Sequence, residues 1–314
     1  MRGRLKLFHL LPLALLAHTA DGCSRVRPAR QQSAVVAARQ AAPAAPPQSP
    51  APTPSPDAFR EDGERYFKDS IKFGGGLRFG EKAVEVKNEK YKYEINFTYP
   101  QLEGAGGGRV EDFNRVVAAM VNREVKEFRG WHRGAQDYRP RPPYWEDVYE
   151  SLDGQYDVAY ATDEFISIRF DTYTYGLGAA HSVQQFRVVN FDLAAGRQLK
   201  LSDLFRPGSR HLRFIADFCI NELRRQSKAK CLEQMDGRDC EQQHDFWLPE
   251  YVAPKPANYA NWNLTRAGLL MSFDACRLAG CAAGEREVLI PYADLKNLSP
   301  AEGIIARLAD GRDQ

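Results

Sequence analysis

The segment best suited to chemistry is Tyr173-Thr174-Tyr175-Gly176-Leu177-Gly178-Ala179-Ala180-His181. A glycine-rich turn followed by histidine can hold an imidazole toward a ligand, as acid, base or hydrogen-bond partner. A tight turn between two strands uses the same glycines for positive φ, and that reading carries more weight. Ser182 beside His181 is no nucleophile–base pair, because chain neighbours on a strand point to opposite faces. The chain has no GxSxG elbow, no P-loop and no HExxH helix. The expectation is a non-enzymatic protein with no catalytic residue and no cofactor.

Past Cys23 the cysteines are Cys219, Cys231, Cys240, Cys276 and Cys281. Structural zinc needs closely spaced Cys or His pairs, and neither CxxC nor HxxxH occurs, so no metal site is expected. His132, His181, His211 and His244 are scattered along the chain. In an oxidising compartment the spacing favours local disulfides, Cys231 with Cys240 and Cys276 with Cys281. Cys219 falls on an apolar helical stripe and is expected as a buried free thiol.

Rigid aromatics on loops suit recognition, since they give contact area at little entropic cost. Two stretches qualify: Tyr138 to Tyr149, with Trp145, and Phe246 to Trp262, with Trp247, Tyr251 and Tyr259. Their alternative is to pack back onto the sheet. The binding candidates are Trp145, His181, Trp247, Tyr251 and Trp262.

The elements that must position these residues read as α+β. Tyr91, Tyr93, Ile95, Phe97 and Tyr99 alternate with polar residues as a strand, which Pro100 is expected to end. Val84 and Val86 suggest a strand before it. Val110, Phe113, Val116, Val117, Met120, Val121, Val125 and Phe128 recur at helical spacing. Gly134 to Tyr149 reads as irregular. Strands follow at Tyr156–Tyr160, Ile166–Phe170 and Phe186–Leu193, and Asp192 to Gly196 turns the chain into Leu199 and Leu201. A second helix, 208–225, carries the stripe Leu212, Ile215, Ala216, Cys219, Ile220 and Leu223. A hairpin spans Tyr259–Phe273, turning near Arg266-Ala267-Gly268, and Val288–Ile290 is the last strand. Ser299-Pro300-Ala301-Glu302 reads as a helix start. Strands and helices cluster rather than alternate, so the fold class is α+β with antiparallel sheets and a few amphipathic helices.

The N-terminus reads as a sorting segment. Arg2, Arg4 and Lys6 precede an apolar run, Leu7 to Ala17, which is too short to cross a bilayer and fits a secretory signal. Ala20-Asp21-Gly22-Cys23 is similar to a lipobox, so Cys23 is the expected lipidation site; a soluble secreted protein is the alternative. Ser24 after that cysteine favours an outer-membrane destination. From Ser24 to Pro56 there are eight of the 19 prolines and no acid, which reads as a disordered tether. The whole chain carries net +2, while Asp57–Gln314 has 36 Lys plus Arg against 40 Asp plus Glu. That balance excludes a polybasic nucleic-acid arm. The domains expected are a signal peptide, 1–22; the tether, 23–57; a small α+β domain, 58–145; and a larger one, 146–314.

Phe170 to His181, then Asn190-Phe191-Asp192-Leu193 with Gly196, then Leu199-Lys200-Leu201-Ser202-Asp203-Leu204-Phe205, resemble the extracytoplasmic C-terminal domain of the RsiV/PdaC family. Asn263-Leu264-Thr265, Gly268-Leu269 and Val288 to Leu295 extend the likeness. Tyr93 to Leu102 is similar to the smaller domain that precedes it in that family. The chain departs from the pattern at Gly178-Ala179-Ala180-His181, where the family tends to Gly-Gly-Ala-His, and it lacks the deacetylase metal motif. The resemblance implies a cell-envelope setting and a binding module for a lysozyme-like muramidase or peptidoglycan. Its alternatives are a cell-wall-modifying enzyme and a structural envelope lipoprotein.

Overall fold

A computed structural model describes residues 66–67, 70–105, 107–136, 143–234, 248–278 and 284–311. The signal and tether regions, with Cys23, lie outside them. So do Cys240, Trp247 and Cys281. No described helix is long and apolar enough to cross a membrane.

The architecture is α+β, as the clustering of elements implies. A large sheet holds β1 (Ile71–Lys72), β2 (Arg78–Asn88), β3 (Tyr93–Glu103), β4 (Glu150–Thr162), β5 (Phe165–Tyr175), β6 (Val183–Asp192) and β7 (Arg197–Gln198). Its order is β2-β3-β4-β5-β6-β7, with β1 beside the far end of β4. Pairing is antiparallel except for β3 with β4 and β1 with β4. A small antiparallel sheet, ordered β10-β9-β8, holds β8 (Trp262–Leu264), β9 (Leu269–Phe273) and β10 (Arg286–Ile290). Two long helices complete the frame, α1 (Gly108–Gln136) and α2 (His211–Gln234).

The apolar periodicities decide which faces meet. Along α1, Val110, Phe113, Val117, Met120, Val121, Val125 and Phe128 are buried. They pack against Ile95 and Phe97 of β3, Ile166, Ile168 and Phe170 of β5, and Val189 and Phe191 of β6. A second core joins Ile215, Ala216, Cys219 and Leu223 of α2 to Trp262, Leu264, Leu269, Met271, Phe273, Val288 and Ile290 of the small sheet. The remaining faces of the two sheets lie against each other, and this layer is unusually polar. Ser167 Oγ donates to Asn190 Oδ1 at 2.6 Å and accepts from Asn263 Nδ2 at 2.9 Å and Leu264 N at 3.1 Å. Asn190 Nδ2 in turn donates to the Trp262 carbonyl at 2.7 Å. One hydroxyl thereby fastens β5 to β6 and to β8.

Several local expectations are corrected. Pro100 does not end its strand: β3 runs on to Glu103, with Pro100 opposite Glu81 of β2. The pairing of β3 with β4 stops at Phe97, so the missing proline N–H faces an uncovered edge and costs nothing. Leu201 lies in a 3-10 turn, Leu201–Leu204, rather than a strand. α2 continues nine residues past Arg225 to Gln234. The last helix, Ile304–Ala309, begins with Gly303 as its cap, not Ser299. Ser299 is buried and donates to the Leu295 carbonyl at 3.3 Å, which commits its hydroxyl to the preceding turn. β3 and β4, which lie on either side of residue 145, pair directly in one sheet.

Candidate functional site

One end of the large sheet gathers the turn 176–182, the β2–β3 hairpin, the short 3-10 turn Pro143–Trp145 and the last turns of α1. Sheet register enforces this meeting. Tyr93 pairs with Glu150, and Ser151 pairs with Tyr175, so the starts of β3 and β4 and the end of β5 share one rim.

Gly178 has φ +85°, and a β-carbon there would sit 2.7 Å from the Trp145 ring. Gly176 is less restricted: its β-carbon would lie 3.0 Å from the edge of the Trp131 ring. The two glycines therefore do more than turn the chain. They let two indoles approach the backbone, one on each side of Leu177. Ala179 N donates to the Gly176 carbonyl at 2.9 Å, closing the turn. Leu177 N donates to Oε1 of the buried Glu150 at 3.0 Å, tying the turn to β4.

Trp131 is 51% exposed, and only Ile71 matches it among the large apolar side chains of the described residues. The 29 residues of α1 extend about 43 Å, whereas an 11-residue strand such as β3 spans about 37 Å. Trp131 packs back on Phe128 at 6.5 Å between ring centroids, and Phe128 meets Tyr93 edge-on at 5.8 Å.

Next to this aromatic row lies a basic hairpin. Lys87 Nζ and Lys92 Nζ sit 4.6 and 5.1 Å from the centre of the Tyr149 ring. Tyr149 donates its hydroxyl hydrogen to Glu89, which holds that carboxylate below its usual range. Lys92 donates to the Tyr149 oxygen at 3.4 Å, and Lys87 pairs with Glu94 at 3.2 Å; both ammonium groups are held above their ordinary values. Lys90 lies 5.0 Å over the Tyr91 ring.

Of the residues proposed from sequence, the structure places Trp145 against the turn that ends in His181. His181 is exposed, with Nδ1 2.9 Å from the Ser182 carbonyl oxygen. Two other candidates belong elsewhere. Trp262 is only 3% exposed in β8 and belongs to the core under α2, which corrects its expected surface position. Tyr251 is half-buried against that same core, with Arg277 6.0 Å from its ring centre. Trp131 was missed, because it sits three residues beyond the α1 stripe and looks like its continuation.

A second concentration of polar groups is buried between the sheets. Arg169 donates through Nε to Asp171 at 3.2 Å, pairs with Glu287 of β10, and lies 3.5 Å from Asp157 of β4. Its guanidinium is sandwiched by Phe67 at 4.6 Å and Phe186 at 5.2 Å. Burial pushes the Asp171 carboxyl up, against the downward pull of Arg169. Every group here has a protein partner, so the cluster reads as a fastening between layers. Among the described residues no set of three or more His, Cys, Asp or Glu side chains could hold a metal ion.

The cysteines follow the same division. Cys219 is buried and free, and burial pushes its thiol up. Cys231 and Cys276 are disulfide-bonded.

The segment that carries α2 and the small sheet has relatives. Residues 202–293 match the family model described as Protein of unknown function (DUF3298). A DUF3298 domain is present. Over 220 residues the chain is 22% identical to the Peptidoglycan-N-acetylmuramic acid deacetylase PdaC of Bacillus subtilis (strain 168), covering 69% of this chain and 41% of that protein. It therefore spans about two fifths of that relative's length. A crystal structure of a DUF3298 family member from Bacteroides fragilis aligns with a TM-score of 0.50 at 18% identity, covering 76% of this chain and all of that one. A DUF3298 family protein from Pseudomonas aeruginosa aligns with a TM-score of 0.47 at 16% identity, covering 71% and 94%. The Bacteroides likeness speaks to the fold alone.

Proposed function

We propose that this is an exported cell-envelope protein, lipid-anchored at Cys23, whose folded part is a non-catalytic binding module for peptidoglycan or a lysozyme-like muramidase. The observation that carries the reading is the rim itself. An exposed tryptophan and a half-buried one flank a glycine turn whose backbone is shaped to receive them. Tryptophan is enriched among residues that carry binding energy, and a half-exposed one offers apolar contact area to a partner. The partial likeness to PdaC supports the envelope setting.

The anchor follows from the sequence pattern around Cys23 and favours the periplasmic face of an outer membrane. Labelling with a fatty-acid probe tests it: Cys23→Ser is expected to abolish incorporation, and unchanged labelling refutes it. The disulfide pairing proposed is Cys231–Cys240 and Cys276–Cys281, checked by mass mapping of non-reduced peptides. For binding, calorimetry of the purified chain against muropeptides and against c-type and g-type lysozymes is decisive. Heat with at least one of them is expected. No heat and no inhibition with any of them removes the binding reading.

A further inference from the structure

We infer that the rim binds an anionic glycan, with the face of a sugar ring on Trp131 and its carboxylate toward the Lys87–Lys92 hairpin. The inference rests on the binding reading above and narrows it to one ligand chemistry.

The aromatic part sets the first requirement. A pyranose ring has one flat C–H face and a belt of hydroxyls, so it suits an indole that is apolar on its face and edged by polar groups. Trp131 offers that face, held from behind by Phe128 and from the side by the Gly176 backbone. Such support fixes the ring before a ligand arrives and lowers the entropic cost of binding.

Charge sets the second. The hairpin Lys87-Asn88-Glu89-Lys90-Tyr91-Lys92 carries three lysines and one glutamate, on a folded region whose acids outnumber its bases. Glu89 and Glu94 are shared between Lys87 and Lys92. Lys90 has no salt bridge among the described residues, and its ammonium rests over Tyr91. Lys90 is thus the hairpin ammonium left to attract a carboxylate-bearing sugar or stem peptide at the rim that holds the exposed indole.

Continuity between the two parts is built in. Trp131 touches Gly176; the next residue, Leu177, is held by Glu150; and Glu150 N donates to the Lys92 carbonyl at 3.1 Å. The indole and the lysines are thus mounted on adjacent strands rather than on independent loops.

The test is calorimetry on the full folded chain with three probes: soluble muropeptides, which are anionic; a neutral chito-oligosaccharide; and a basic c-type lysozyme. Muropeptides are expected to bind, with affinity falling as salt rises, and the neutral sugar to bind about tenfold more weakly. Trp131→Ala is expected to weaken muropeptide binding about tenfold, and Lys90→Glu about fivefold, the latter with unchanged Tm since Lys90 is exposed. Equal affinity for neutral and anionic sugars overturns the charge argument. Muropeptide binding that Trp131→Ala leaves intact overturns the rim as the site, while the envelope-binding reading survives. Binding of lysozyme alone overturns this inference and keeps that reading. Binding of none of the three overturns both.

Discussion

Replacing Arg169 by methionine should unfasten the two sheets. Methionine keeps an apolar stem but removes the charge that lies over Phe67 and Phe186 and faces Asp157, Asp171 and Glu287. The native centre holds one cation against the buried Asp171, the largely buried Glu287 and the partly exposed Asp157, so the variant leaves only like charges there. Removing one partner of a buried ion pair costs about 3–5 kcal/mol. The cost should depend on pH, and its sign follows from Asp171. Its folded pKa lies above the unfolded one, because burial disfavours the carboxylate. Its contribution to stability is therefore fully present below the unfolded pKa and is lost as pH rises through the folded pKa. Without Arg169 that folded pKa rises further, so acid relieves the variant more than the native chain. Urea unfolding at pH 7.5 and pH 5 should show a penalty near 3–5 kcal/mol at the higher pH, shrinking by about 1.4 kcal/mol for each unit of extra shift. Adding Asp171→Asn to the variant should recover part of the loss at pH 7.5. A penalty under about 1 kcal/mol, or one equal at both pH values, would refute the claim that this cluster is a desolvated fastening.

Other substitutions probe single contacts. Ser167→Ala leaves Asn263 Nδ2 and Leu264 N without their shared acceptor, and should cost about 1–3 kcal/mol in urea unfolding. Gly178→Ala puts a β-carbon into the Trp145 ring at a left-handed backbone position; a loss of about 1–2 kcal/mol and a changed near-ultraviolet dichroism of tryptophan are expected. Gly154→Ala drives a β-carbon to 2.4 Å from the Phe97 ring and should lower stability by about 1–3 kcal/mol without altering the rim's ligand affinity. Cys219 should resist a thiol reagent in the folded protein and react on unfolding, since burial both shields it and keeps it protonated; rapid labelling of the native chain would contradict its place under the small sheet.

The parts of the fold legible in the sequence are those set by short-range periodicity. Alternation from Tyr91 to Tyr99 marked β3, and the Val110–Phe128 stripe marked α1, because each pattern needs only one buried face to be visible. The hairpin of β8 and β9 was visible from Arg266-Ala267-Gly268; there Gly268 approaches the Ile290 carbonyl so closely that a β-carbon would lie 2.5 Å from its oxygen. Pro100 misled because a proline's meaning depends on whether the neighbouring edge is occupied, which is a tertiary fact. Ser299 misled because its hydroxyl had a second acceptor in the turn before it.

For the site, sequence alone found the glycine turn, its histidine and Trp145, and supplied the choice between a ligand-presenting loop and an ordinary turn. It also fixed the α+β class, since local patterns show how many faces must be covered. What covers them is decided only when the layers assemble. Period-2 alternation places Ser167, Arg169 and Asp171 on one face of β5 but cannot show that this face is buried by a second sheet bringing Asn263 and Glu287 from about a hundred residues away. It likewise cannot show that Trp131 is exposed while Trp262 is buried beneath a helix. A side chain's type records its chemistry, whereas its burial depends on distant segments whose approach is set by the packing of whole faces.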